Sequence, residues 1–177
     1  MLFSSIEFLF YFLPVVVLVY FALPRRGKNL WLLIASLFFY AWGEPRLVAL
    51  MVLSILIHYG WGLAIGASRT PKMRKLFLIC SIVTGLGMLG YYKYADFLLE
   101  NVNAVLGTAI PLPKIALPIG ISFYTFQILS YTIDVYRGRA QAQKNLIDFG
   151  CYVSLFPQLI AGPIVRYVDV ERELRQR

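Results

Sequence analysis

Ile115–Arg139 reads IALPIGISFYTFQILSYTIDVYRGR, with Lys114 just before it, and its reading decides how the rest of the chain is understood. Pro118 and Gly120 interrupt the start, and no formal charge then follows until Asp134. The length suits a bilayer, because about 20 apolar residues cross a hydrocarbon core of about 30 Å. The stretch is not uniformly apolar. Gln127, Tyr131 and Asp134 fall at i, i+4 and i+7, with Tyr124 three residues earlier and Ser130 beside them. Helical spacing gathers these side chains into one stripe. Facing lipid, such a stripe is costly, so it is expected to face the protein interior or a wet cavity. Two readings stay open: a hydrogen-bonded seam between helices, or the wall of a substrate passage.

Composition supports a membrane setting. Of the 177 residues, 59% are hydrophobic and only 15% charged, and the mean hydropathy is +0.69. Soluble domains are typically about 45–50% apolar, and so few charges would not cover a water-facing surface. The formal net charge of +8 raises the possibility of nucleic-acid binding. That class is excluded because the basic residues form short clusters between hydrophobic runs, the ordinary pattern of membrane topology. Cys80 and Cys151 sit singly inside apolar runs, without a CxxC pair or zinc-like spacing to the single His58, and read as inert buried thiols. The N-terminus carries Glu7 as its only charge before the first run and lacks a basic n-region, so Phe8–Leu23 reads as a retained first span.

Charge-free runs occur at Phe8–Pro24, Asn29–Gly43, Leu47–Ser68, Leu76–Tyr92, Ile115–Ile133 and Phe149–Val165. The connections between them carry 3, 1, 4 and 2 basic residues in turn: Arg25, Arg26 and Lys28; Arg46; Arg69, Lys72, Arg74 and Lys75; Lys93 and Lys114. By the positive-inside rule the short basic loops are cytoplasmic and the N-terminus lies outside. A full crossing of Phe149–Val165 would then carry Arg166, Arg172, Arg175 and Arg177 to the wrong side. The same run holds Phe156-Pro157 and Gly162-Pro163, which interrupt helix hydrogen bonding. A re-entrant or strongly kinked segment that returns to the cytoplasmic side resolves both facts, and broken backbone at that depth requires burial in protein or a water-lined cavity. Asp96–Leu106 is expected as a short interfacial helix after Tyr91, Tyr92 and Tyr94, and Asn145 as an N-cap.

Three local motifs are weighed against simpler accounts. The string GLGMLG at 85–90 matches GxGxxG, yet it lies inside a spanning run with no preceding strand, so tight helix packing is the expected role. Gly62 and Gly66 form a similar small-xxx-small pair. His58 reads as a neutral imidazole bonded between helices, with a proton relay as the alternative. Asp134 and Arg137 stand at i, i+3 and are placed to pair across one turn; alternatively Arg137 or Arg139 contacts an anionic, phosphate-bearing donor.

Longer strings carry a family resemblance. LPIGISFYTFQILSYTIDVYRG (Leu117–Gly138) and NLIDFGCYVSLFPQLIAGPIVRY (Asn145–Tyr167) resemble the front half of membrane-bound O-acyltransferases. The opening FSSIEFLFYFLP, the run NLWLLIASLFFYAWGEP and the element YYKYADF (Tyr91–Phe97) match as well. The nearest branch in appearance is the bacterial membrane subunit that O-acetylates alginate. The resemblance implies an N-terminal part, residues 1–177, of a longer enzyme at the bacterial inner membrane. It implies acetyl transfer from a cytoplasmic donor such as acetyl-CoA, with no resident cofactor or metal. The acceptor would be an exopolysaccharide hydroxyl, reached with a periplasmic acyl-accepting partner protein. The catalytic histidine of that family lies beyond the matched region, so His58 takes no such role, and a chain ending after GPIVRY is expected to be truncated and inactive alone.

The fold expected is therefore all-α: a polytopic integral membrane helical bundle with a broken or re-entrant helix near the C-terminus. Tyr124, Gln127, Tyr131, Asp134, Pro157, Gln158 and Gly162 are the candidates for lining or shaping a tunnel, with no residue assigned to catalysis. The rival is a small membrane scaffold or transport protein without chemistry of its own.

Overall fold

The computed structural model describes residues 5–43, 45–113, 115, 117–118, 120–161 and 165–175. Among them every regular element is helical: α1 (Leu13–Ala22), preceded by a π-helical stretch Glu7–Phe12, α2 (Arg25–Gly43), α3 (Pro45–Ala67), α4 (Pro71–Leu106), α5 (Ile121–Arg137), α6 (Leu146–Ser154), α7 (Phe156–Ala161) and α8 (Tyr167–Arg175). The π-helical stretch ends at Phe12, two residues before Pro14 in the first turn of α1, where a residue without an N–H cannot continue the preceding ladder. Helices α3 and α5 form the centre of the bundle, with α3 packing on α2, α4, α5 and α6.

Leu47–Ala67 and Pro71–Leu106 are long and apolar enough to cross a membrane. Most of their surface is left uncovered by the rest of the described chain, unlike the core helix of a soluble protein. Large apolar side chains such as Phe10, Phe21 and Val83 point outward. An apolar exterior of this extent suits lipid rather than water.

Two boundaries differ from the sequence reading. Leu76–Tyr92 and Asp96–Leu106 are one continuous helix, α4, capped by Thr70 at its start and stopped only at Gly107 (φ 65°). Nothing between Tyr92 and Asp96 breaks a helix: Lys93, Tyr94 and Ala95 contain no proline or glycine, so the ladder runs on for 36 residues, about 54 Å at 1.5 Å per residue. In the central stretch, the helix occupies Ile121–Arg137 rather than the whole charge-free run from Ile115. Gly120 at φ 74° turns the chain into the helix, and a Cβ there would lie 3.1 Å from the Leu159 carbonyl oxygen. Glycine is required at that position twice over, by its φ and by close backbone approach.

The C-terminal apolar run is broken, and its path is fixed by polar contacts. Asn145 caps α6, its side chain accepting from the Ile147 N–H at 2.9 Å. The helix ends at Leu155, whose ψ of 110° is outside the helical region. The break falls two residues before Pro157, which sits in the first turn of α7, where its missing N–H leaves no bond unmade. Phe156 N–H then donates to Ser36 Oγ at 3.3 Å, midway along α2, and Leu159 reaches Gly120 at the far end of α5. The chain returns: the Asn29 amide donates to Asp148 Oδ1 (2.8 Å) at the start of α6 and to the Leu174 carbonyl (2.9 Å) near the end of α8. Both limbs of the segment therefore lie at the same end of the bundle, beside the basic start of α2. The segment is re-entrant in shape, as its prolines and flanking charges predict.

Candidate functional site

The candidate site is the seam between α5 and the re-entrant segment. Helix α5 ends at Gly138 (φ 73°), where Gly138 N–H donates to the Val135 carbonyl and Arg139 N–H to the Asp134 carbonyl at 2.9 Å. Between its two left-handed glycine caps, the polar stripe faces inward: Tyr124 is 1% exposed, Gln127 4%, Tyr131 0% and Asp134 5%.

Gln127 occupies the middle of the seam. Its Nε2 donates to the Tyr152 carbonyl at 2.8 Å and to Gln158 Oε1 at 3.4 Å. The Tyr152 carbonyl belongs to the last turn of α6, where no intrahelical donor is available, so Gln127 satisfies a group that the helix break leaves open. The Tyr152 hydroxyl in turn donates to the Val165 carbonyl at 2.9 Å, with the Gln127 carbonyl at 3.4 Å as a second acceptor. Ser36 does the same service for Phe156 N–H. Each orphan backbone group buried in an apolar bundle would otherwise cost about 1–3 kcal/mol.

Nearer the basic end, Tyr131 OH accepts from Gln143 N–H at 2.9 Å, and Gln143 Nε2 donates to Tyr167 OH at 2.9 Å. Tyr131, Tyr167 and Tyr152 pack edge-on in succession, with centroids 4.9 Å and 5.2 Å apart. Room for Tyr131 comes from Gly62 on α3, where a Cβ would stand 2.7 Å from the ring. Tyr124 OH differs from the rest: it is buried without a hydrogen-bond partner among the described residues, within electrostatic reach of Tyr40, Ser54 and Tyr92.

The remaining sequence candidates separate. Gln158 is half-buried and in contact with Gln127, whereas Pro157 is exposed; Gly162 lies outside the described residues. Arg137 and Arg139 are exposed. No ion pair joins Asp134 to Arg137 among the described residues, because Asp134 lies on the buried face of α5 and Arg137 points away from it. The charge pairing expected there is not made.

Around His58, the structure follows the interhelical reading. Its Nδ1 lies 2.9 Å from the Ser54 carbonyl on its own helix and its Nε2 3.3 Å from the Ser81 carbonyl on α4. Gly85 packs directly against His58 Nε2 and Leu129, but a Cβ on Gly87 or Gly90 would meet nothing within 4 Å. Of the three glycines in the GLGMLG string, then, Gly85 is the one whose Cβ position is in tight contact. Both Gly62 and Gly66 make one, the latter against Ala142.

Sequence reasoning missed Tyr152, Gln143, Tyr167 and Ser36. Gln143 lies in a polar connection with no periodicity, and Tyr152 and Ser36 act on backbone groups, which carry no letter of their own. Among the described residues, no three His, Cys, Asp or Glu side chains converge as a metal site would require.

Comparisons of this all-helical bundle's sequence with known proteins show what it is similar to. The whole chain matches part of a set of O-acetylating proteins. It is 45% identical over 183 residues to "Probable alginate O-acetylase AlgI" of Pseudomonas aeruginosa, covering 100% of this chain and 35% of that protein. The protein of the same name in Pseudomonas syringae is 43% identical over 182 residues, again covering 100% of this chain and 35% of that protein. "Peptidoglycan O-acetyltransferase" of Helicobacter pylori is 32% identical over 206 residues, covering 100% of this chain and 39% of that protein. The chain thus spans little more than a third of the length of these relatives, and the alginate-acetylase likeness read from its motifs holds from end to end. No protein-family model matches the chain, and no solved structure matches it.

Proposed function

We propose that this chain is the N-terminal, membrane-embedded part of a membrane-bound O-acyltransferase that acetylates a polysaccharide. Alginate or another exopolysaccharide is the acceptor, and a cytoplasmic donor such as acetyl-CoA supplies the acetyl group. A periplasmic partner protein passes the group on. The protein sits in the bacterial inner membrane with its N-terminus outside and its basic end in the cytoplasm. The observation that carries this reading is the 45% identity to an alginate O-acetylase over the whole chain.

In that enzyme the α5 stripe is the part closest to chemistry. Tyr124, Gln127, Tyr131 and Asp134, with Gln158 from the re-entrant segment, line or shape the acyl-transfer tunnel, together with Pro157 and Gly162. Arg137 and Arg139, exposed at the basic end, contact the anionic donor as it approaches. None of these residues is a nucleophile or base; this chain supplies walls and support, and the acid–base group comes from the remainder of the protein.

The rival reading, a membrane scaffold or transporter without chemistry, draws on one observation. His58, the only histidine, has both ring nitrogens within hydrogen-bond distance of main-chain carbonyls and bonds no nucleophilic side chain among the described residues. A chimera separates the two readings. The matching segment of the Pseudomonas aeruginosa relative is replaced by this chain, and acetyl content of the secreted polymer is measured. Acetylation restored to a substantial fraction of the parent level supports the enzyme reading. A chimera that inserts at normal level and transfers no acetyl group favours the scaffold.

A further inference from the structure

At the basic end of the bundle, the last turn of α3, the first turns of α4, the end of α5 and the loop before α6 enclose a cleft of about 560 Å³. A second, smaller cleft of about 270 Å³ adjoins it. Arg74 is the wall between them, since it lines both. The larger cleft carries Lys144 as a further cation and the smaller carries Arg69; neither is lined by an Asp or Glu side chain. Apart from Gln141, the rest of the larger lining is apolar or glycine, including Leu63, Ala67, Val135 and Ala142.

The guanidinium of Arg74 is only partly used. Its Nη2 donates to the Val135 and Tyr136 carbonyls at 3.1 and 3.0 Å, which closes the C-terminal end of α5. Its Nε is buried and has no hydrogen-bond partner among the described residues. No ion pair among the described residues neutralises Arg74, Arg69 or Lys144. The positive end of the α4 macrodipole lies at the same place. A half-buried guanidinium facing two clefts, backed by two more cations and opposed by no carboxylate among the described lining residues, is a set of donors without a charge complement there. Arginine's planar fork suits phosphate oxygens better than a point cation does.

We infer that the Arg74 cleft binds the phosphate group of an amphipathic anion, with Arg74 and Lys144 holding the phosphate and the Leu63–Val135 wall accepting its neutral remainder. The phosphate belongs either to an anionic lipid headgroup of the adjoining leaflet or to a soluble organic phosphate. This is a different place from Arg137 and Arg139, which line neither cleft, and it does not depend on the acyl-transfer reading.

The test uses the purified chain in two arms. In nanodiscs of phosphatidylcholine alone, inorganic pyrophosphate is titrated calorimetrically. In detergent containing equal phosphatidylcholine and phosphatidylglycerol, retained lipid is counted by native mass spectrometry. Replacing Arg74 would also unfasten α5, so the variants are Ala67→Phe, which fills the cleft, and Lys144→Gln. Lys72→Gln removes a charge two residues from Arg74 without lining either cleft. Binding in at least one arm is expected, about tenfold weaker or more in Ala67→Phe and Lys144→Gln and unchanged in Lys72→Gln. Pyrophosphate binding assigns a soluble phosphate; selective retention of phosphatidylglycerol alone assigns a headgroup. No binding in either arm, undiminished binding in both cleft variants, or equal loss in Lys72→Gln overturns the inference.

Discussion

The α3–α4 interface and the interface of α5 with the re-entrant segment both bury hydroxyls, ring nitrogens and amides, yet the two use them differently. Between α3 and α4, His58 and Ser54 lean on carbonyls of Leu50, Ser54 and Ser81 that sit inside unbroken helices. Those carbonyls already have an intrahelical donor, so the Ser54 hydroxyl, and the one N–H of a neutral His58, each add a second bond to a satisfied group. Between α5 and the C-terminal segment, Gln127 and Ser36 bond to groups that the break at Leu155 leaves unpaired, and Tyr152 OH bonds to the Val165 carbonyl in the connection before α8. One seam fastens two intact helices. The other makes a discontinuous helix tolerable in an apolar surround, which only internal partners can do.

If that contrast is right, mutations should divide along it. The largest effect is expected from Gln127→Leu, which keeps side-chain bulk but orphans the Tyr152 carbonyl. A loss of about 2–3 kcal/mol is expected, read as a shifted midpoint in denaturant unfolding of the chain in mild detergent. Gly62→Ala drives a methyl into the Tyr131 ring, which is held in place by Gln143. It should cost about 2 kcal/mol by overpacking, in the same assay. Ser36→Ala removes the acceptor of Phe156 N–H at the break and should cost about 1 kcal/mol. Amide exchange at Phe156, followed by mass spectrometry of the peptide that spans Leu155, should accelerate in that variant.

Smaller and opposite in sign is the pair on α4. Gly85→Ala places a methyl 3.1 Å from His58 Nε2 and should lower the unfolding midpoint. Gly87→Ala meets nothing within 4 Å and should raise it by about 0.5–1 kcal/mol, the helix-propensity gain of alanine over glycine. Equal behaviour of the two glycines would mean that the α3–α4 contact is looser than its geometry indicates.

The parts of the fold that show in the sequence are those written in side chains. The stripe Tyr124, Gln127, Tyr131 and Asp134 is a spacing, and spacing determines a helix face, so its inward orientation could be read directly. The return of the last segment follows from Pro157, the Gly162-Pro163 pair and the arginines beyond, each a property of letters. What could not be read concerns main-chain groups and absences. The Tyr152 and Val165 carbonyls look like any other residue's, so their need for Gln127 and Tyr152 appears only once the break and the connection before α8 are located. The continuity of α4 depends on nothing stopping it between Lys93 and Asp96, and polar letters there resemble a loop. The pairing of Asp134 with Arg137 followed from their separation along the chain, but burial of one and exposure of the other prevents it.

The same-end return of the C-terminal segment supports everything said about the seam, and sidedness labelling tests it most directly. With Cys80 and Cys151 replaced by alanine, single cysteines at Gln141 and Asp169, both exposed, are challenged with a membrane-impermeant maleimide in right-side-out and inverted vesicles. The account predicts that both positions label only in inverted vesicles. Labelling of Gln141→Cys from one side and Asp169→Cys from the other would make Phe149–Val165 a complete crossing and contradict it.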